Sequence, residues 1–239
     1  MPKLTCSVVD VLNLYFHFKS EELPTGSFDD SYFMFCKKNI CRSKKSISYL
    51  LEQTERQSNL LTHSLMAAAE LDYEWVMTQF SSLIAHQNSD VRRQTYFAIA
   101  NVSEHLDDSP KRRLALFEKM VELETDESAR SGLFHSTVIL AKKASTLWPS
   151  VNVLLEKCLL KLEPLVLYQA SQLLAFGKKD APEDTIQLLM PYFKHVQADQ
   201  KDIFNNLTYF IDDKIKAGQE EEAEKFLADL LIKVDGVSM

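Results

Sequence analysis

Helical segments recur along this chain at nearly constant spacing, and that recurrence restricts the fold more than any other feature. Five segments open with helix-start signals near Thr54-Glu55, Asp90-Val91, Asp126-Glu127, Glu163-Pro164 and Asp199-Gln200, at intervals of 36, 36, 37 and 36 residues. Seven residues into the first four stand Leu61, Phe97, Leu133 and Ala170, and in the fifth Leu207 comes one place later. The pattern predicts that these five residues share one buried seam.

Each segment is preceded by another with helical spacing of apolar residues, at about 44–53, 73–86, 110–123, 149–161 and 182–195. A last segment, roughly 219–233, places Ala223, Phe226, Leu227, Leu230 and Leu231 on one side. Only 5 glycines and 7 prolines occur in 239 residues, too few for many hairpins. Pro110, Pro149 and Pro164 stand where a first helical turn tolerates them. Asp180-Ala181-Pro182-Glu183 reads as an N-cap, a proline and a capping-box acid, and Gly177 and Gly218 as helix ends. Pro191, inside an apolar run, should kink or split its helix.

The segment Asn88-Ser89-Asp90-Val91-Arg92-Arg93-Gln94-Thr95-Tyr96-Phe97-Ala98-Ile99-Ala100 resembles the second helix of a HEAT repeat, with its Asp-Val-Arg opening followed by alanines and aliphatics. Asp126-Glu127-Ser128-Ala129-Arg130 is a partial match with the arginine displaced, and the other units match by period and apolar pattern only. Tetratricopeptide repeats also pair helices, but their Trp…Leu-Gly…Tyr signature is absent. The resemblance to HEAT-like (armadillo/HEAT-type) proteins implies an all-α fold. It would be a right-handed α-α superhelix, or solenoid, of about five helix pairs with terminal capping helices. Residues 1–43 fall outside the period and read as an N-terminal capping segment, and 44–239 as the repeat domain. In the cap, Leu4, Val8, Val11, Leu12, Tyr15 and Phe18 have helical spacing, while Phe28 to Cys36 suits a helix or a strand.

Charge and chemistry narrow the function. Net charge is −7, and residues 180–239 carry 6 Lys/Arg against 13 Asp/Glu. The one basic cluster is Lys37, Lys38, Arg42, Lys44 and Lys45, too small for the broad basic face of a nucleic-acid binder. No His-Glu-x-x-His, P-loop, dinucleotide glycine motif or Gly-x-Ser-x-Gly occurs, and the six histidines are dispersed. Cys6, Cys36 and Cys41 lack the two tight ligand pairs of structural zinc, and Cys158 sits in an apolar run as a core residue. No catalytic residue, metal or cofactor is expected. No run of 18 apolar residues occurs, and the first residues lack the apolar stretch of a signal peptide, so a cytoplasmic location without a membrane anchor is expected.

The expected function is therefore non-catalytic: an adaptor or scaffold that binds another protein, a basic one if charge steers the encounter. Two alternatives share the scaffold. One is an immunity or inhibitor protein that neutralises a basic toxin. The other is a HEAT-repeat enzyme similar to the alkylpurine DNA glycosylases, although their basic groove is missing here. The resemblance implies that second helices line a concave, partner-holding face. Helical steps place Asp90, Gln94, Asn101 and His105 on one polar stripe of the best-defined second helix, and Arg92, Arg93 and Tyr96 add residue types favoured at hot spots. Equivalent candidates are Arg130 and Thr137, then Gln169 with Gln172, then Asn205 and Asn206. For Asp90 and Arg92, a structural ladder between repeats is the competing expectation.

Overall fold

A computed structural model describes residues 7–24, 28–54, 59–103, 110–177 and 179–231, and every regular element among them is helical. The chain divides into two compact units, Met1–Met120 and Val121–Met239.

In the first unit, α1 (Val8–Ser20) begins at a capping box in which the Ser7 N–H donates to the Asp10 carboxylate and the Asp10 N–H donates to the Ser7 hydroxyl oxygen. It buries Val8, Leu12, Tyr15 and Phe16. Phe28–Lys37 forms α2, so the ambiguous Phe28–Cys36 stretch is helix and not strand. Next come α3 (Ile40–Glu52), α4 (Leu60–Ala69), α5 (Tyr73–Leu83), α6 (Ser89–Asn101) and α7 (Pro110–Met120). Alternate helices stack: α2 packs on α4 and α4 on α6, while α3 and α5 pack against α4 from the other layer. The sequence Leu60-Leu61-Thr62-His63-Ser64-Leu65-Met66-Ala67-Ala68-Ala69 contains no Asp, Glu, Lys or Arg, as befits a helix with neighbours on nearly every side. The hydroxyls of Tyr32, Ser46 and Ser64 run as a buried chain through α2, α3 and α4, with Ser46 and Ser64 at 2.7 Å.

The second unit repeats the plan. Its helices are α8 (Glu127–Lys143), α9 (Trp148–Leu159), α10 (Pro164–Phe176), α11 (Glu183–Leu189), α12 (Lys201–Lys216) and α13 (Glu220–Leu231). Helices α8, α10 and α12 stack as one layer, and α9 packs on both α8 and α11. As anticipated, α11 is split: it ends at Leu189, and Met190–His195, which contains Pro191, continues as 3-10 helix. Phe226 of α13 meets Phe210 and Phe193 edge to face, with centroids 5.5 and 6.4 Å away, and so seals this end of the unit.

The recurrence reappears as partnerships between residues one repeat apart. Within the first unit, Thr62 Oγ1 donates to the Gln94 carbonyl at 3.0 Å, and Arg112 meets Glu74 at 3.1 Å. Within the second, Ser131 donates to the Leu165 carbonyl at 3.3 Å, Thr185 to Asn152 at 2.7 Å, and Asn206 to Ser171 at 2.9 Å. All five of these bonds join neighbouring helix pairs within one unit.

Three expectations need correction. Helix α4 starts at Leu60, not near Thr54-Glu55: α3 runs to Glu52, Thr54 lies in the turn that follows, and Asn59 is the N-cap. Residue 55 itself lies outside the described residues. Asp180 does not cap α11; Pro182 is the cap residue, and Asp180 reaches Lys142 at 3.2 Å instead. Phe97 is only half-buried, whereas its neighbour Tyr96 is fully buried. The helix starts explain this. Asn88, Asp126, Glu163 and Gln200 are the cap residues of α6, α8, α10 and α12. Counted from them, Thr95, Leu133, Ala170 and Leu207 are equivalent, and all are buried. Phe97 lies two places beyond that position. The same register removes the apparent displacement of Arg130: Arg92 and Arg130 are each the fourth residue of their helix.

Candidate interaction surface

The anticipated contact residues do not form one exposed stripe. Gln94, Tyr96, Arg130, Thr137 and Asn206 are interior. Gln94 donates to the Asp90 carboxylate at 2.7 Å, and Tyr96 lies edge-on to Phe117 with centroids 6.0 Å apart. Thr137 bonds back to the Leu133 carbonyl of its own helix at 2.7 Å. Arg130 donates to the Glu124 carbonyl and pairs with Glu163. The error has a physical source. Helical steps fix which residues share a stripe, but a second helix packed between two others buries more than a half-turn of its circumference.

Arg92 and Arg93 are half-buried and engaged locally. Arg92 donates to the carbonyls of His86 and Gln87 at 2.8 and 3.0 Å, and Arg93 meets Asp90 at 2.5 Å. Arg92 and Arg130 therefore do the same work: each clamps the turn that precedes its own helix. Asn101 donates to the Phe97 carbonyl at 2.9 Å. His105 lies outside the described residues. Gln169 is half-buried and Asn205 exposed.

Of the two tryptophans, Trp148 is a core residue, and Trp75 is half-buried beneath Lys44, whose Nζ lies 4.4 Å from the ring centroid. Two lysines of the basic cluster are paired, Lys37 with Glu70 and Lys44 with Asp72, each at 3.4 Å. Cys36 and Cys158 are buried; burial raises the Cys36 thiol and pushes that of Cys158 up to about 12. Among the described residues, no three His, Cys, Asp or Glu side chains gather in a metal-holding group.

Exposed apolar residues and a recess occur together on α8, α10 and α12. The sequence of α10, Pro-Leu-Val-Leu-Tyr-Gln-Ala-Ser-Gln-Leu-Leu-Ala-Phe, contains no charged residue. Its inner side buries Val166, Leu167, Ala170, Leu173 and Leu174. Its outer side still presents Leu165 and Phe176, 44% and 62% exposed, with half-buried Tyr168, Gln169 and Gln172 between them. Phe176 lies beside Tyr209 of α12, 58% exposed, with ring centroids 5.8 Å apart. On the α8 side, His135 Nδ1 and Gln169 Oε1 are 3.0 Å apart. Burial holds the His135 pKa below its usual value, a drop that the Gln169 hydrogen bond partly offsets and the nearby Lys142 charge reinforces. Phe134, His135, Val138, Gln169, Gln172 and Leu173 surround a recess of about 160 Å³ between α8 and α10.

Of this group, sequence reasoning singled out Gln169, Gln172 and Asn205 and missed Leu165, Phe176 and Tyr209. A signal was present. Leu165, Gln169, Gln172 and Phe176 step along α10 by four, three and four residues, in a helix without a single charge to solvate its outer face. No protein-family model matches this chain, and no curated protein or solved structure shows significant similarity to it.

Proposed function

We propose that this protein is a non-catalytic adaptor or scaffold that binds another protein through the outer face of α8, α10 and α12. One observation carries the reading: α10 has no charged residue yet keeps Leu165 and Phe176 exposed. Interface cores are depleted of charge and enriched in aromatic residues, and a solvated helix face is not. Tyr209 beside Phe176 adds a residue type favoured at hot spots. The reading extends to architecture and place. The helix pairs belong to a HEAT-like right-handed superhelix, and the protein works in the cytoplasm. Support for the superhelix comes from the alternate-helix stacking in each unit and from bonds between residues one repeat apart.

The test is affinity capture from native extract with the full chain, in parallel with a Phe176→Ala, Tyr209→Ala double variant. Wild type should retain one protein at near-stoichiometric yield, and the double variant should lose it while melting at the same temperature. Identical recovery by both would overturn the assignment of this face. Turnover of a small-molecule or nucleic-acid substrate by the purified chain would overturn the non-catalytic role.

A further inference from the structure

Resting on the surface proposed above, we infer that the recess between α8 and α10 anchors one bulky, uncharged side chain of the partner polypeptide, with Gln169 and Gln172 holding the amide groups beside it. The volume suits one such side chain. The recess measures about 160 Å³, and an apolar protein cavity of about 150 Å³ takes up a benzene molecule. Phe134, Val138 and Leu173 supply an apolar floor, all three nine-tenths or more buried.

Charge complementarity selects what enters. Helix α10 contributes no charge, and among the described residues the one charged side chain that lines the recess, Lys142, meets Asp180 at 3.2 Å. Burial disfavours the charged form of the His135 imidazole. An ammonium group placed here would lose water and meet the like charge of Lys142, and a carboxylate would lose water and have to draw Lys142 from Asp180, so a phenylalanine- or leucine-sized side chain is favoured over a charged one.

The polar rim matches a peptide unit. Gln169 Oε1 is engaged by His135, which leaves the Gln169 amide nitrogen as a donor. Gln172 Nε2 donates to the Tyr168 hydroxyl at 2.7 Å, which leaves the Gln172 amide oxygen as an acceptor. The two residues are neighbours one helical turn apart, and each peptide unit offers one carbonyl and one N–H.

The probe is N-acetyl-L-phenylalaninamide, which carries a phenyl ring and flanking amides and nothing else. It is titrated into the 15N-labelled full chain, with the alanine, lysine and aspartate analogues as controls. Amides of the recess residues should shift with a dissociation constant on the order of millimolar, the range open to a ligand of about fifteen non-hydrogen atoms. The three analogues should bind at least about tenfold more weakly, as the loss of a buried ring or the burial of a charge requires. Ile139 also lines the recess, and Ile139→Trp, which adds bulk there, should abolish the shifts; Gln172→Glu, which sets a carboxylate there, should do so without adding bulk. Absence of recess shifts at about 50 mM probe, ten or more times the expected constant, would overturn the inference, as would equal binding of the alanine analogue. If the partner captured from extract depends on Phe176 and Tyr209 while this probe fails, the anchor falls and the proposed surface stands. If both fail, the surface falls as well.

Discussion

Arg130, buried on α8, pairs with Glu163, the residue at the N-cap of α10, and so ties one repeat to the next. The same guanidinium donates to the Glu124 carbonyl in the turn that precedes its own helix. Cys158 of α9 lies close enough for both charges to act on its thiol, which places the pair at the junction of three helices. A buried ion pair is costly to break from one side because the remaining charge is left without a partner. Arg130→Met should therefore destabilise by about 3 kcal/mol in chemical denaturation. The double variant with Glu163→Gln should recover part of that loss. Additive effects would show that the two residues are uncoupled.

Tyr96 and Phe97 are adjacent, yet only Tyr96 is fully buried, edge-on to Phe117. Tyr96→Ala should cost about 3–5 kcal/mol, in the range of core aromatic truncations, and Phe97→Ala about 1 kcal/mol. Urea unfolding followed by circular dichroism would rank them, and the reverse order would show that the buried arc of α6 is rotated.

Two glycines should fail for different reasons when replaced by alanine. At Gly177, a Cβ would meet Leu173 Cδ1 at 2.4 Å and the Leu173 carbonyl oxygen at 2.9 Å, so Gly177→Ala should cost about 1–3 kcal/mol through crowding. Gly218, just beyond α12, has φ +74° and open space around it. Gly218→Ala should cost about 1 kcal/mol through backbone strain alone. Gly218→Asn should recover most of that loss, because asparagine tolerates the left-handed region; at Gly177 asparagine should be no better than alanine.

His135 contributes to acid sensitivity with a definite sign. Its folded pKa lies below the unfolded value, so below about pH 6.5 the unfolded chain takes up the proton first. Stability should fall from there downward until the folded pKa is passed, and then level off. The drop in melting temperature between pH 7.5 and 5.5 should be smaller in His135→Gln than in wild type. An equal drop in both proteins would assign the acid sensitivity to other groups.

Thiol reactivity should follow burial. In a Cys6→Ser background, a thiol reagent at pH 8 should modify exposed Cys41 promptly. Cys36 and Cys158 are buried with raised thiol pKa values, and should react only on unfolding. Rapid modification of all three in the native protein would contradict the packing of α2 and α9.

Local chemistry made much of the helical layout readable. Asn88 and Asp126 cap α6 and α8 through their own side chains, Pro164 opens α10, Pro191 interrupts α11, and Gly218 follows the end of α12. Each acts within a few residues of itself, so each survives translation into three dimensions. The register between units was less legible. By period Asp90 matches Asp126 as a helix opening, but the cap in α6 is Asn88, two residues earlier, and that offset puts the seam at Thr95 in place of Phe97. The face of α10 stayed hidden for another reason. A charge-free helix reads as fully buried, and the helical steps through Gln169 and Gln172 are the one local cue that separates Phe176, which remains exposed, from Leu174, which does not.

The amino-acid sequence by itself determined a helical chain with a period near three dozen residues, because caps, prolines and apolar spacing operate over single turns of backbone. Only the tertiary structure decided that Arg130 and Asn206 are interior while Phe176 and Tyr209 face out. Burial depends on which helices stack on either side, and that packing depends on contacts between residues a whole repeat apart.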